Sequence, residues 1–390
     1  MTQKYMKRCL FCLFLCISHL ICLAEPSDSV ASPTKSKGSL ISRVVDYFRT
    51  SNVPRQDGKF DISFLGGPHY SSDNGFGIGL VAAGVYGLPK IDSVTGGYIQ
   101  NRVSLYADVT TTGNIVVGID GMQTFDDDTR RLNYNVFFRH HPVRFWGIGY
   151  EAARQNDNYT KYTRLGVTAS AEFLFRFGGN FFIGPTIDFG WSGARKVKEP
   201  ERWDGQPLAV ASFGPGVNLS YDSRDNTTAP QRGIFAVFTA KTFPRFLGNR
   251  RGAFSITEIA FNGYQPLWKD GILAMRVHGS FTYGNTPWTM LPTFGGSYGM
   301  RGYYEGQYSD RKEADIVAEL RQKVWKRSGF VVWAGAGTIF PKFEAFKWNR
   351  VLPNGGVGYR WEFKKNSNVR LDLGFGKGQI GFIFNINEAF

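Results

Sequence analysis

The chain has 390 residues, a formal net charge of +14 and a mean hydropathy of −0.24, with 16% aromatic residues and 47 glycines. Its cysteines are Cys9, Cys12, Cys16 and Cys22, so the chain beyond them is free of disulfides, thiol catalysis and cysteine metal ligands. Beyond them the histidines are His69, His140, His141 and His278, which show no zinc-type spacing; no metal, cofactor or catalytic set is expected. The basic residues are scattered through alternating segments and do not gather in one stripe, which argues against nucleic acid and for a charged lumen and loops near anionic lipid.

The elements begin with a processing segment. Lys4, Lys7 and Arg8 precede an apolar run from Cys9 to Leu23, and Ala24 is small enough for a cleavage site. Residues 1–24 are therefore expected to be a secretory signal peptide, whose removal leaves a charge of +11. The alternative, a retained anchor, has too short an apolar run for a spanning helix of about 20 residues. Residues 25–58 are expected to form a periplasmic linker. Their first part is rich in Ser, Pro, Thr and Lys, and Leu40, Ile41, Val44, Val45 and Phe48 then recur at helical spacing. This short amphipathic helix either lies against the following domain or acts as a plug or docking element.

From Phe60 onward the period becomes two. Val103, Leu105, Ala107 and Val109 alternate with Arg102, Ser104, Tyr106 and Asp108. Ile316, Ala318, Leu320 and Val324 oppose Val317, Glu319, Arg321 and Lys323. Val369, Leu371, Leu373 and Phe375 oppose Asn368, Arg370, Asp372 and Gly374. Successive side chains of a strand point to opposite faces, so each strand has one apolar and one polar face. A soluble sandwich gives similar alternation, but export and strands of around ten residues favour a membrane barrel. Its low mean hydropathy is no objection, because only every second residue faces lipid.

The reading is thus all-β: a transmembrane antiparallel β-barrel of about 16 strands over residues 59–390. Strands are expected to begin near Phe60, Gly75, Ile99, Gly113, Arg131, Tyr162, Asn180, Val210, Gly233, Ala253 and Gly271. After a long loop from Leu291 to Lys312, the rest begin near Ala314, Gly329, Gly355, Asn368 and Gln379. Asp126, Asp127 and Asp128 read as a solvated turn, with calcium binding as the alternative.

Two segments carry more specific information. Gln379-Ile380-Gly381-Phe382-Ile383-Phe384-Asn385-Ile386, with Phe390 beyond, resembles the β-signal of outer-membrane proteins. Gln379, Gly381, Phe384, Ile386 and Phe390 are its candidate residues, with Ile380, Phe382, Phe384 and Ile386 facing lipid. The long loop reads Phe294-Gly295-Gly296-Ser297-Tyr298-Gly299-Met300-Arg301-Gly302-Tyr303. It closely resembles the glycine-rich, hydrophobic-Arg-Gly-aromatic pattern of the bacterial surface-antigen family of BamA- and TamA-type barrels. Gly66 to Gly79, Phe145 to Gly149 and Tyr221 to Gly233 resemble other turns of that family in the same order.

The resemblance implies that the long loop folds back into the lumen, and that its arginine meets acidic residues on the inner wall. Met300, Arg301, Gly302 and Tyr303 would form that motif, with Glu319 and Asp372 as candidate partners. The family often carries an aspartate in the second strand after the loop, where this chain has Gly335. Gly295 to Gly299 also match the Gly-x-Ser-x-Gly elbow of hydrolases, but the strand-turn-helix and nearby histidine are missing, so no enzymatic activity is expected. Such barrels also carry POTRA domains of about 80 residues each. Residues 25–58 are too few for one, so the expectation is a barrel-only member in the outer membrane of a Gram-negative cell. It would meet outer-membrane lipid and lipopolysaccharide, with a POTRA-bearing assembly barrel or its lipoproteins as candidate partners. The expected role is an accessory or specialised factor in outer-membrane protein assembly or biogenesis. The alternative is an outer-membrane channel or transporter with a loop-plugged charged lumen.

Overall fold

A computed structural model describes residues 60–91, 98–125, 128–226, 229–249, 252–364, 367–386 and 388–390. The signal peptide, the linker and its helix lie outside the described residues. All described residues fall in the unit Phe48–Phe390.

The strands are β1 (Asp61–Ser71), β2 (Gly75–Ile91), β3 (Tyr98–Thr110), β4 (Ile115–Phe125), β5 (Arg130–Phe145), β6 (Thr160–Gly178), β7 (Phe181–Arg195) and β8 (Ala209–Asp222). They continue as β9 (Gly233–Phe243), β10 (Phe254–Trp268), β11 (Gly271–Gly284), β12 (Lys312–Trp325), β13 (Ser328–Phe340), β14 (Leu352–Lys364), β15 (Ser367–Gly376) and β16 (Gln379–Ile386). Each pairs antiparallel with its sequence neighbours, and β16 returns to β1 to close the barrel. No helix of the described residues is long and apolar enough to cross a membrane. The crossing elements are the strands.

The alternation read from the sequence sets the two faces. On β13, Phe330 is 56% exposed and Val332 49%, while Val331 between them is 1% exposed. On β12, Ile316 is exposed, whereas Val317 and Glu319 are fully buried. Closure is what permits a sheet in lipid, because every interior strand then finds partners for its backbone on both sides.

The closure is uneven. β1 and β16 share two register pairs, Tyr70↔Phe384 and Ser71↔Ile383. Ser72 N donates to Phe382 O at 3.2 Å, and Phe382 N donates to Ser72 Oγ at 3.0 Å. The rest of β1 pairs with β2 along its whole length. β16 is 8 residues long and pairs with β15 along all of them, so its edge toward β1 is the one left short.

Asp128 does lie in the turn between β4 and β5, but the expectation that it is solvated is corrected. Asp128 is 1% exposed and binds Arg131 (Nε at 2.6 Å) and Arg176, so it is a buried ionic anchor between β5 and β6. Asp126 and Asp127 lie outside the described residues.

Candidate functional site

The loop between β11 and β12, residues 285–311, enters the lumen because its sequence offers both apolar and cationic groups to the inner wall. Met300, Tyr303, Phe294 and Tyr308 pack with Val317, Val331, Trp333, Ile339 and Leu352 in one buried cluster. Close approach of the backbone needs glycine. Gly302 has φ +109, a conformation that penalises any Cβ, and a Cβ there would meet the backbone of Gly374 at 2.7 Å. A Cβ on Gly381 would lie 3.0 Å from Gly302 Cα. The loop thus rests directly on β15 and β16.

Arg301 is 0% exposed. Its Nη1 donates to Asp372 Oδ2 at 2.7 Å, its Nη2 donates to Glu319, and its guanidinium lies 3.7 Å from the centre of the Trp333 ring. Both acidic residues singled out from the sequence therefore meet the loop arginine. Asn354 supports the arrangement from β14: its Nδ2 donates to Arg301 O, and its Oδ1 accepts from Trp333 Nε1 at 3.0 Å. At the position where relatives often carry an aspartate, a Cβ on Gly335 would press on Ile316 O at 2.7 Å. Trp333, two residues earlier on the same inner face, contacts Arg301 instead.

The pair is part of a larger ring. Arg301, Glu319, Arg321, Glu388, Arg360 and Asp372 alternate in sign around a closed circuit. Arg321 Nε meets Glu319 Oε1 at 2.7 Å and Glu388 Oε2 at 3.7 Å. Arg360 bridges Glu388 Oε2 at 2.8 Å and Asp372 Oδ1 at 2.6 Å. Each ion has two oppositely charged neighbours, which offsets the cost of burial; removing one leaves its neighbours buried and underpaired. Burial alone would raise the carboxyl of Glu388, which lies beyond β16, but Arg360 and Arg321 outweigh it and hold that group below the usual carboxylate range. Arg370 sits directly across from Arg360, 3.5 Å from Asp372 Oδ2.

The rest of the motif holds the loop at the start of β14 and the turn between β15 and β16. Tyr303 Oη donates to Pro353 O at 2.6 Å and accepts from Lys377 N at 2.8 Å. Gln379 Oε1 accepts from Tyr304 N at 3.0 Å, so the first residue of the C-terminal pattern contacts the loop. Phe384 stands at the seam opposite Tyr70, and Ile386 ends β16 opposite Val369. Phe390, the terminal aromatic of that pattern, points inward. It lies beyond β16, where Glu388 and Ala389 turn inward, packs against the buried loop cluster, and its O accepts from Arg321 Nη2 at 2.9 Å. The turn is driven by Glu388, whose carboxylate is drawn to Arg360.

Arg360, Glu388, Asn354 and Trp333 were not singled out from the sequence. Arg360 carries a signal in hindsight, as a cation on the inner face of β14, but its neighbours along the chain do not reveal its partners.

A closed sixteen-stranded antiparallel barrel with a long loop clamped in its lumen by buried charge has the architecture of an outer-membrane barrel. The Omp85 superfamily domain matches residues 118–380, and the chain belongs to that superfamily. It is an integral outer-membrane protein. Its fold is similar to that of BamA from Haemophilus ducreyi lacking POTRA domains 1-3, with a TM-score of 0.58 and 16% identity, over 85% of this chain and 70% of that one. It is also similar to CdiB from Escherichia coli, with a TM-score of 0.52 and 7% identity, over 89% of this chain and 70% of that one. CdiB from Acinetobacter baumannii matches with a TM-score of 0.50 and 11% identity, over 85% of this chain and 65% of that one. No curated protein sequence matches the chain.

Proposed function

We propose that the protein is an accessory or specialised factor in outer-membrane protein assembly or biogenesis, and that it works by interaction without enzymatic activity. The observation that carries this reading is the short seam. β1 and β16 share two register pairs, whereas β8 and β9 share seven and β1 and β2 share eleven. A strand edge left open in lipid cannot satisfy its backbone groups with water, so it favours pairing with another strand. A client or partner strand adding to β1 would form such main-chain bonds, the mode known as strand addition. The clamped loop stiffens the wall beside that edge, because Gly302 and Tyr304 bear on β16 through Gly381 and Gln379.

The partners expected on this reading are a POTRA-bearing assembly barrel or its lipoproteins. Extraction of the native protein in mild detergent, followed by identification of what co-purifies, tests it. A stoichiometric assembly barrel or lipoprotein supports the accessory role. A lone barrel overturns the stable complex and favours the second reading, a channel or transporter with a plugged lumen. That reading draws on the charged inner wall around Arg301, and single-channel conductance tests it. The wild type should conduct poorly, and Arg301→Ala should open the path.

A further inference from the structure

On the inner wall, away from the ring around Arg301, β11 and β12 bring three metal-ligating side chains together. His278 lies directly opposite Asp315 in register, and Ser280, two residues on, lies opposite Glu313. All three side chains point to the lumen, because alternate residues of a strand share a face. His278 Nδ1 is 2.9 Å from Glu313 Oε2 and 3.4 Å from Asp315 Oδ2, and the three donor atoms lie within 4.8 Å of one another. Among the described residues this is the group of that kind.

Two further observations point to a ligand. Glu313 is 2% exposed, yet its Oε2 has no hydrogen-bond partner, and neither has His278 Nδ1. The two atoms face each other as an ion pair at 2.9 Å without hydrogen-bond geometry, and a metal ion would replace that contact by taking both lone pairs. The spacing also fits one. A metal with donors at about 2.1 Å has neighbouring donors about 3.0 Å apart in octahedral geometry and about 3.4 Å apart in tetrahedral geometry. Arg276 does not consume the site. It takes Asp315 chiefly through Oδ1, at 3.2 Å to Nε, with a longer contact of 3.5 Å from Nη2 to Oδ2.

We propose that His278, Glu313 and Asp315 bind a single divalent transition-metal ion of the zinc type. One imidazole with two carboxylates suits such an ion, whereas magnesium and calcium prefer oxygen donors alone. The strand before the long loop supplies His278, and the strand after it supplies Glu313 and Asp315. The ion therefore ties together the two ends of the loop that carries Arg301. Linear spacing hides this set, because the loop separates the histidine from both acids.

The test uses the folded full-length protein in detergent, stripped with EDTA, loaded with Zn²⁺, desalted and measured for bound metal. The wild type should retain about one zinc per chain more than His278→Gln or Glu313→Gln, each checked for folding by its heat-dependent gel shift. Zinc held by Cys9, Cys12, Cys16 or Cys22 would be common to all three proteins and cancel. Independently of any variant, Zn²⁺ should raise the wild-type Tm above the EDTA-treated value, and Mg²⁺ should not. Equal zinc in the wild type and the folded variants overturns the proposal and leaves a plain ion-pair cluster. So does a wild-type Tm that Zn²⁺ leaves unchanged.

Discussion

Arg301 and Asp372 are 71 residues apart in the chain, and their side chains meet at 2.7 Å on the inner wall of the barrel. The contact fastens a loop between β11 and β12 to the wall of β15, so its strength governs whether the lumen is filled.

Arg301→Ala should weaken the seating of the loop by about 3–5 kcal/mol, because Glu319 and Asp372 would stay buried without the cation between them. Arg301→Lys should restore less than half of that. A lysine ammonium cannot serve two carboxylates in a plane and lie flat on Trp333 as the guanidinium does. Urea midpoints of the heat-dependent gel shift measure both. Equal midpoints for wild type and Arg301→Ala would show that the ring contributes nothing to the seat.

Gly374→Ala tests the same seat from the wall. A Cβ at Gly374 would meet Arg301 C at 2.7 Å, with backbone on both sides and no flexible side chain to yield. The expected cost is about 1–3 kcal/mol, as for other overpacked sites. Limited proteolysis within residues 296–306 should be faster in this variant, while Gly67→Ala, where a Cβ meets nothing within 4 Å, should cleave as the wild type does.

The loop tip should respond to pH. Asp73, in the turn between β1 and β2, accepts from Glu305 N at 3.0 Å. Burial, with the nearby Glu305 carboxylate adding to it, raises Asp73 to about 6 against the bond from Glu305 N and the charge of Arg144. A carboxyl raised in the folded state binds its proton more tightly there than in the unfolded chain. The covering of Asp73 by the loop tip is therefore fully favourable below its ordinary value of 3.8, and that stabilisation is lost as pH rises to about 6. Protection of residues 304–306 from protease should be greater at pH 5 than at pH 7.5. Asp73→Asn should remove the difference; a difference that survives in that variant would assign it to another group.

The seam can be locked. Tyr70 and Phe384 are direct partners in the β1–β16 register, and antiparallel partners are close enough to bridge. The double variant Tyr70→Cys, Phe384→Cys should form a disulfide under mild oxidation, with no other cysteine among the described residues to compete. If strand addition at this edge is the working step, the oxidised protein should fail to complement a deletion strain and the reduced protein should succeed. Full activity with the lock closed would remove the seam from the mechanism.

The alternation of Val103, Leu105, Ala107 and Val109 with polar neighbours, repeated along the chain, made the strands legible, because a period of two is a local property of the backbone. So were the long loop and its Arg301, because the motif that resembles the surface-antigen loop is written in consecutive residues. Gln379 and Phe384 were legible as parts of a last strand. The inward position of Phe390 was not legible, because the alternating pattern carries no sign that Glu388 turns the chain toward Arg360.

By itself, then, the sequence determined a barrel of alternating strands and nominated Arg301, Glu319 and Asp372 as one group. Only the tertiary structure decided that Arg321, Arg360 and Glu388 complete their ring, that Trp333 and Asn354 hold the arginine, and that β1 meets β16 over two register pairs. The physical reason is that strand identity depends on neighbours in the chain. Ion pairing, register and closure depend on residues that meet only when the sheet curls round and the loop fills its centre.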